Sequence, residues 1–136
     1  MKISTRGRYA LRVLIDLAEN NTGEYIAMKS VAERQEISLK YLEKILPLLV
    51  KEDLIEGVHG KGGGYRLKKN PEEIVIGKVL RLTEGDLAPV ACLECDAKDC
   101  NRAGSCRTLP MWKELNNRIS EYLDSVTLRE LMKNPK

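Results

Sequence analysis

All four cysteines of the chain lie between Cys92 and Cys106, where two, four and five residues separate them in turn. Thiolates are the soft ligands that zinc and iron–sulfur clusters prefer, and four of them in one loop can chelate either group. The spacing matches neither a paired zinc knuckle nor a common ferredoxin run. This cysteine loop, residues 92–106, therefore predicts a metal or redox site with Cys92, Cys95, Cys100 and Cys106 as ligands, and residue chemistry alone leaves zinc and iron–sulfur both open.

A second group of residues is typical of a surface that binds a polyanion. Residues 59–64 hold His59, Lys61 and four glycines, between two short apolar runs that predict strands, 54–58 and 65–67. Glycine supplies the positive φ angles of a tight hairpin and lets its backbone approach another surface closely. A nucleotide-binding loop is disfavoured because no helix pattern follows the glycines and the Walker-type ending is missing.

Three helices are predicted ahead of this hairpin. Apolar residues recur with helical period over residues 5–19, and shorter helices are predicted over 29–35 and after the capping residue Ser38. A helix-turn-helix followed by a basic hairpin is the pattern of a winged helix. Because Pro47 removes a backbone donor from the third helix, we expect either a kink there or a recognition segment limited to residues 39–46.

The second half of the chain returns to helical periodicity after the cysteine loop. A short strand is predicted over 74–76 and a helix over 77–83, and a long amphipathic helix starts at Leu109. Thr127 and Glu130 form a capping-box pattern that opens a last short helix. The apolar stripe predicted for the long helix comprises Trp112, Leu115, Ile119, Tyr122, Leu123 and Val126.

These elements predict a mostly α fold with a small β wing. The expected parts are a winged-helix DNA-binding head over residues 1–70, a connecting segment with the cysteine loop over 71–108, and a dimerisation helix with a short C-terminal helix over 109–136. The long helix could pack on its own N-terminal helix or on a second subunit. A homodimer is favoured because paired heads match the ~34 Å repeat of successive major-groove faces.

Composition and charge narrow the function further. Residues 1–70 carry 13 Lys and Arg against 9 Asp and Glu, while the remainder carries 10 against 11. A basic front half suits DNA. The start of the chain shows no apolar signal region and no apolar run reaches the length of a membrane span, so we expect a cytoplasmic protein without a membrane partner. With its sole histidine in the hairpin and no motif-placed carboxylate pair, the chain is not expected to be an enzyme.

The sequence resembles the IscR-type winged-helix transcription regulators, a family that also includes the nitric-oxide sensor NsrR and the cysteine-metabolism regulator CymR. The matching stretches are residues 1–11, 37–43 and 60–65, the cysteine loop, and 109–112 leading to 127–128. The resemblance implies a homodimeric DNA-binding regulator of transcription, expected to be a repressor, that binds a palindromic operator in double-stranded DNA.

The resemblance also implies which side chains meet DNA. A carboxylate such as Glu43 is unfavourable near phosphates unless it accepts a hydrogen bond, as from cytosine N4, although an ion pair with neighbouring lysines is the alternative. His59 stands where relatives commonly insert an arginine into the minor groove. The expected DNA-binding residues are Arg6, Arg8, Ser38, Lys40, Tyr41, Glu43, Lys44, His59, Lys61 and Arg66.

For the cysteine loop, the resemblance favours an iron–sulfur cluster, and a 2Fe-2S cluster over a 4Fe-4S cluster. Cys92, Cys100 and Cys106 match the three cysteines of cluster-binding relatives. The chain departs from them at the fourth ligand, because Leu109 replaces the histidine of one pattern and Arg8 the aspartate of another. Cys95 is the candidate fourth ligand, and a residue of the partner subunit is the alternative. A structural zinc or a metal-free thiol sensor remains an open alternative.

Overall fold

The computed structural model of the chain describes residues 2–94, 97–98 and 100–133. Its architecture is mostly helical with one small antiparallel sheet, so the predicted fold class is confirmed. The elements in chain order are α1 (Thr5–Glu19), α2 (Met28–Gln35), α3 (Leu39–Lys51), β1 (Ile55–Val58), β2 (Gly64–Leu67), α4 (Ile76–Glu84), α5 (Leu109–Ser125) and α6 (Leu128–Leu131), with 3-10 turns at Pro71–Glu73 and Ala91–Leu93.

One hydrophobic core joins α1, α2, α3 and α4 and also takes in Leu128 of α6. Helical period places apolar side chains of each helix on one stripe, and these stripes face one another and exclude water. The fully or almost fully buried side chains include Leu14, Leu17, Val31, Leu42, Ile45, Leu49, Ile55, Ile74, Val79 and Leu128.

Pro47 lies inside α3, which continues past it to Lys51. The helix thus does not end at the proline, while a kink there and a recognition segment of residues 39–46 stay predictions. Proline removes the hydrogen bond to the carbonyl four residues earlier, that of Glu43. Both residues are exposed, so water can replace the missing donor at that carbonyl.

The wing is the β1–β2 hairpin, with Ile55 opposite Leu67 and Val58 opposite Gly64. The backbone of Tyr65 also exchanges two hydrogen bonds, of 2.8 and 2.9 Å, with Ile26 in the connection between α1 and α2. A Cβ at Gly64 would overlap the Ile26 carbonyl, so this contact requires glycine. Gly64 therefore lets the wing pack against the connection between α1 and α2.

The segment before α4 differs from the predicted strand over 74–76. Only Val75 pairs in β fashion there, with Thr127, and α4 already begins at Ile76. Two hydrogen bonds clamp this segment to the C-terminal chain, from Ile76 N to Val126 O and from Leu128 N to Ile74 O. The pairing goes no further because the chain enters α4 at Ile76. Val126, predicted on the stripe of α5, is the extended residue that ends that helix.

Helix α5 packs against α4 and keeps much of its apolar surface in contact with solvent. None of its residues is buried, and Met111, Leu115 and Tyr122 are 53%, 39% and 68% exposed. The predicted capping box of α6 is present, with Thr127 N donating to Glu130 Oε2 at 2.9 Å. Within the described ranges, every helix is too short or too polar to span a membrane.

Candidate nucleic-acid interface and cysteine loop

Helix α3 presents a polar face opposite its buried one. Ser38 caps the helix by accepting a hydrogen bond from Tyr41 N at 3.1 Å, which fixes where the recognition segment begins. Lys40, Glu43 and Lys44 are all exposed on this face. The side chains predicted to reach base edges and phosphates from α3 thus share one accessible surface.

Tyr41 connects this face to α1. Its ring meets the Tyr9 ring edge to face, with centroids 5.4 Å apart, and the Arg12 guanidinium lies 5.0 Å from the Tyr9 centroid. The start of α1 and the first two turns of α3 then enclose a shallow depression, which we call the α1–α3 cleft. It is lined by Ser4, Thr5, Arg6, Tyr41 and Lys44. Arg6, predicted as a phosphate contact, is therefore next to two predicted contacts from α3.

The first turn of α1 is held from behind by the end of α4. Ser4 donates through its backbone N and its hydroxyl to the two carboxylate oxygens of Glu84, both at 2.6 Å. Arg6 donates to the carbonyl of Thr83, also at 2.6 Å. Sequence reasoning missed Glu84, since 80 residues separate it from Ser4 and no local pattern encodes such a pair.

Burial and hydrogen bonding act in opposite directions on Glu84. Partial desolvation raises the pKa of its carboxyl, but the hydrogen bonds from the hydroxyl and backbone N of Ser4 and the charge of Arg6 lower the pKa below its ordinary value overall. The carboxylate is therefore charged at neutral pH and lies at the positive end of the α1 macrodipole.

The wing carries two kinds of basic residue. His59 and Lys61 are exposed near its turn. Arg66 is engaged within the chain: its guanidinium donates to Glu56 at 2.8 Å and to the Gly23 carbonyl at 2.7 Å, and lies 4.2 Å from the centroid of the Tyr25 ring. The hydrogen bond to Glu56 is the main reason that the pKa of Arg66 is raised. To contact DNA as predicted, Arg66 would have to do so while its guanidinium also keeps these partners.

Arg8 is exposed on α1 and donates to Thr5 Oγ1 at 3.2 Å. It lies on the helix that also supplies the α1–α3 cleft, but it does not line that cleft. The structure therefore leaves its guanidinium accessible beside the predicted interface.

In the cysteine loop, Cys92, Cys100 and Cys106 are free thiols, and Cys95 lies outside the described residues. Cys92 and Cys100 line one shallow depression together with Leu109 and Lys113 of α5. Leu109, which stands where some relatives have a histidine, therefore borders this depression but has no donor atom for a metal.

Cys106 lies just before the start of α5. Its Sγ is 3.4 Å from Thr108 Oγ1, and the hydrogen bond to Thr108 is the main cause that lowers the pKa of the thiol, with backbone amides of Thr108 and Leu109 adding to it. A lowered thiol pKa favours the thiolate, the form that binds metals and reacts with oxidants.

The donor chemistry of this loop suits an iron–sulfur cluster or zinc, because several free thiols lie within one short stretch and the pKa of one of them, Cys106, is lowered. Among residues 2–94, 97–98 and 100–133, however, no group of three His, Cys, Asp or Glu side chains lies close enough together to hold a metal ion. Binding would therefore require the loop to draw its thiols together.

A helix-turn-helix followed by a basic wing and a long C-terminal helix defines a winged-helix transcription regulator. Comparison with known proteins agrees. The chain belongs to the Rrf2 family, described as "Iron-dependent Transcriptional regulator", whose model matches residues 3–134. The predictions of a DNA-binding transcription regulator rather than an enzyme, and of an IscR-type family, are thereby confirmed.

Individual relatives cover almost the whole chain. It is similar to the HTH-type transcriptional regulator IscR of Vibrio campbellii, with 38% identity over 134 residues, which are 98% of this chain and 78% of the relative. Among solved structures it is similar to CymR, the global cysteine regulator of B. subtilis, with a TM-score of 0.77, 34% identity and coverage of 96% and 95%. It is also similar to T. potens IscR, with a TM-score of 0.74, 33% identity and coverage of 96% and 85%.

Proposed function

We propose that the chain is a homodimeric repressor that senses iron–sulfur or redox status through the cysteine loop and binds a palindromic operator. The observation that carries this proposal is the position of Cys106, a free thiol whose Sγ lies 3.4 Å from Thr108 Oγ1, just before the start of α5. A change in the loop at this point reaches a helix that packs on the head through α4.

The DNA contacts that we propose follow the exposed surface of the head. Lys40, Glu43 and Lys44 project from α3 into the major groove, where Glu43 accepts a hydrogen bond from cytosine N4. Ser38 and Tyr41 hold the start of this helix and contact the backbone beside it. On either side, Arg6 and Arg8 contact phosphates, and the wing residues His59, Lys61 and Arg66 reach the minor groove.

The proposed dimer uses α5. Its apolar side chains Met111, Leu115 and Tyr122 are left exposed by a single chain, and a second copy of α5 would bury them around a two-fold axis. Two heads related by this two-fold axis would each bind one half of a palindrome, so the proposed operator has the symmetry of the dimer.

In the proposed sensor, Cys92, Cys100 and Cys106 hold the cluster, with Cys95 as fourth ligand and 2Fe-2S as the expected type. When bound, the cluster would supply sensitivity to oxidants, nitric oxide and iron shortage. The chain's own part is to order the loop: three thiols drawn together would fix the chain on either side of Cys100 and the start of α5. Such ordering shifts DNA affinity only if it favours one arrangement of the heads.

A second candidate is a winged-helix regulator without iron, whose cysteine loop holds a structural zinc or acts as a metal-free thiol sensor. The observation that favours it is the likeness to CymR, which is as similar in structure as T. potens IscR. Free Cys106 would then react as a thiolate with oxidants directly.

The deciding experiment is purification without oxygen, followed by measurement of iron, acid-labile sulfide and zinc per monomer and a visible absorption spectrum. We expect iron and sulfide in equal amounts with charge-transfer bands, lost in Cys92→Ala, Cys100→Ala and Cys106→Ala. Zinc without iron, or no metal after anaerobic reconstitution, would contradict the cluster and leave the second candidate.

Cys95→Ala then tests the fourth ligand, with Ser105→Ala as a control substitution in the same loop. Cys95→Ala should bind less iron than the wild type, whereas Ser105→Ala should bind as much. If both variants keep the full cluster and its spectrum, the fourth ligand lies elsewhere, as with a residue of the partner subunit.

A further inference from the structure

Glu84 lies at the junction between α4 and the first turn of α1, and we infer that its carboxylate positions this turn for contact with DNA phosphates. The inference rests on the proposed DNA contacts and assigns a part in them to a residue that does not itself belong to the α1–α3 cleft. In this role Glu84 is a positioning residue, acting through Ser4 and Arg6.

Both carboxylate oxygens of Glu84 accept hydrogen bonds from the same residue, Ser4. Oε1 accepts from Ser4 N and Oε2 accepts from Ser4 Oγ, each at 2.6 Å, and Ser4 Oγ in turn accepts from Gly7 N at 3.0 Å. These contacts orient the backbone and the side chain of Ser4 together. Ser4 lines the α1–α3 cleft, so Glu84, by holding Ser4, determines the shape of the cleft at this edge.

Arg6 is held by the same end of α4. One terminal nitrogen donates to the Thr83 carbonyl at 2.6 Å, and a guanidinium has further N–H groups that this bond leaves available for a phosphate. Thr83 is itself buried and fixed, as its hydroxyl donates to the Leu80 carbonyl at 3.1 Å. Residues 83 and 84 therefore hold two side chains of the cleft from behind.

The close packing of α1 on α4 leaves little freedom at this junction. A Cβ at Gly7 would lie 2.9 Å from both Glu84 Oε2 and Thr83 Oγ1, so the approach needs glycine at that position. Any movement of the end of α4 therefore displaces the first turn of α1 as well.

The sign of the effect separates positioning from simple electrostatics. A negative charge behind a phosphate-binding cleft repels DNA, so removing it would raise affinity if Glu84 acted through its charge alone. If Glu84 positions Ser4 and Arg6, removing it lowers affinity, because the phosphate contact from the first turn of α1 is lost.

The test uses the full chain and a duplex selected from a random-sequence pool by the wild type, with all variants in the same metal-loaded state. Affinity is measured from low to high salt for the wild type and Glu84→Ala. We expect a loss of about tenfold. The slope of log affinity against log salt should also become shallower, by about 1 per protomer, because one phosphate contact disappears.

Three further variants make the result specific. Glu33→Ala removes an exposed carboxylate from α2 and should leave affinity and slope unchanged. Glu84→Gln keeps the size of the side chain and one acceptor, so it should lie between wild type and Glu84→Ala. Arg6→Ala should weaken binding much less in the Glu84→Ala background than in the wild type, because the two residues act on one contact.

Higher or unchanged affinity in Glu84→Ala would overturn the inference. A lower affinity of folded Glu84→Ala with an unchanged salt slope would also overturn it, because no phosphate contact is then lost. Thermal melting shows whether Glu84→Ala is folded; if it is not, Glu84→Gln replaces it and the same outcomes decide. A wild-type chain that selects no duplex would overturn the proposed interface itself.

Discussion

Arg81 and Asp124 join α4 to α5 through two hydrogen bonds of 2.6 and 3.1 Å between guanidinium and carboxylate. A Cβ at Gly77 would overlap Asp124 Oδ1, so glycine at this position lets the two helices approach closely enough for the pair to form. The long helix is thereby attached to the helix whose far end contacts α1.

Asp124→Asn should lower stability at neutral pH by about 0.5–1 kcal/mol, since both partners are partly exposed and solvent screens them. The hydrogen bond from Arg81 lowers the pKa of Asp124, so its stabilisation is complete above the ordinary aspartate pKa and disappears as the pH falls through the folded value. The melting temperatures of wild type and variant should therefore begin to converge as the pH falls below about 4, and should meet below the folded pKa of Asp124.

The control is Glu114→Gln, which breaks a more exposed pair with Arg118 within α5. Its effect should be smaller at every pH. Equal effects of the two substitutions would contradict a specific role of the pair between α4 and α5.

Asp16 is a carboxylate in the interior, only 2% exposed. It accepts from Arg34 at 2.6 and 3.0 Å and from Gln35 at 2.9 Å, and this attachment is the main cause that raises the pKa of Arg34. Asp16→Ala should lower the free energy of unfolding by about 2–3 kcal/mol, because hydrogen bonds to a charged group are lost in the core. Denaturant unfolding measures it.

Arg34→Ala should also destabilise the chain, because it leaves the buried Asp16 charge with fewer partners. The two losses should not add in the double variant. Glu33→Ala, an exposed neighbour of Arg34 on α2, should change unfolding very little, and strictly additive losses would show that the pair is not coupled.

Lys61 and Arg66 should behave differently although both are basic residues of the wing. Lys61 is exposed, so Lys61→Ala should weaken DNA binding without changing the melting temperature. Arg66→Ala should lower the melting temperature as well, because Arg66 joins Glu56 and the Gly23 carbonyl. A thermal shift in the Lys61 variant equal to that in the Arg66 variant would contradict this distinction.

Glu43 should determine specificity more than affinity. In duplexes selected from a random pool, Glu43→Ala should relax the preference at one base pair per half-site, by about 1–3 kcal/mol of discrimination. Lys44→Ala, one residue along the same exposed face, should weaken all duplexes alike. Unchanged base preference in Glu43→Ala would support the local ion pair as the role of Glu43.

Elements determined by local patterns were predictable from the sequence. Apolar period predicted α1 over the range that it occupies, and the capping box at Thr127 opens α6 as expected. Contacts between residues far apart in the sequence were not predictable, because a local pattern does not indicate which distant residue is the partner. Glu84 with Ser4, Asp16 with Arg34, and the clamp between Val75 and Thr127 belong to this second group.

The same division applies to the candidate site. Chemistry and spacing selected the cysteines and the exposed residues of α3, which the structure leaves accessible. They could not show that Arg66 is already bound within the chain, since that depends on how the wing meets the connection between α1 and α2.

Leu128 is completely buried in the hydrophobic core that it shares with α1. Its backbone N donates a hydrogen bond to the carbonyl of Ile74. During synthesis α1, α2 and α3, the helices of the proposed DNA-binding head, leave the ribosome first, yet the core is incomplete until residue 128 has followed. Long-range closure of this kind is slow compared with helix formation. The nascent chain should therefore gain its full DNA-binding competence only after α5 and α6 have emerged.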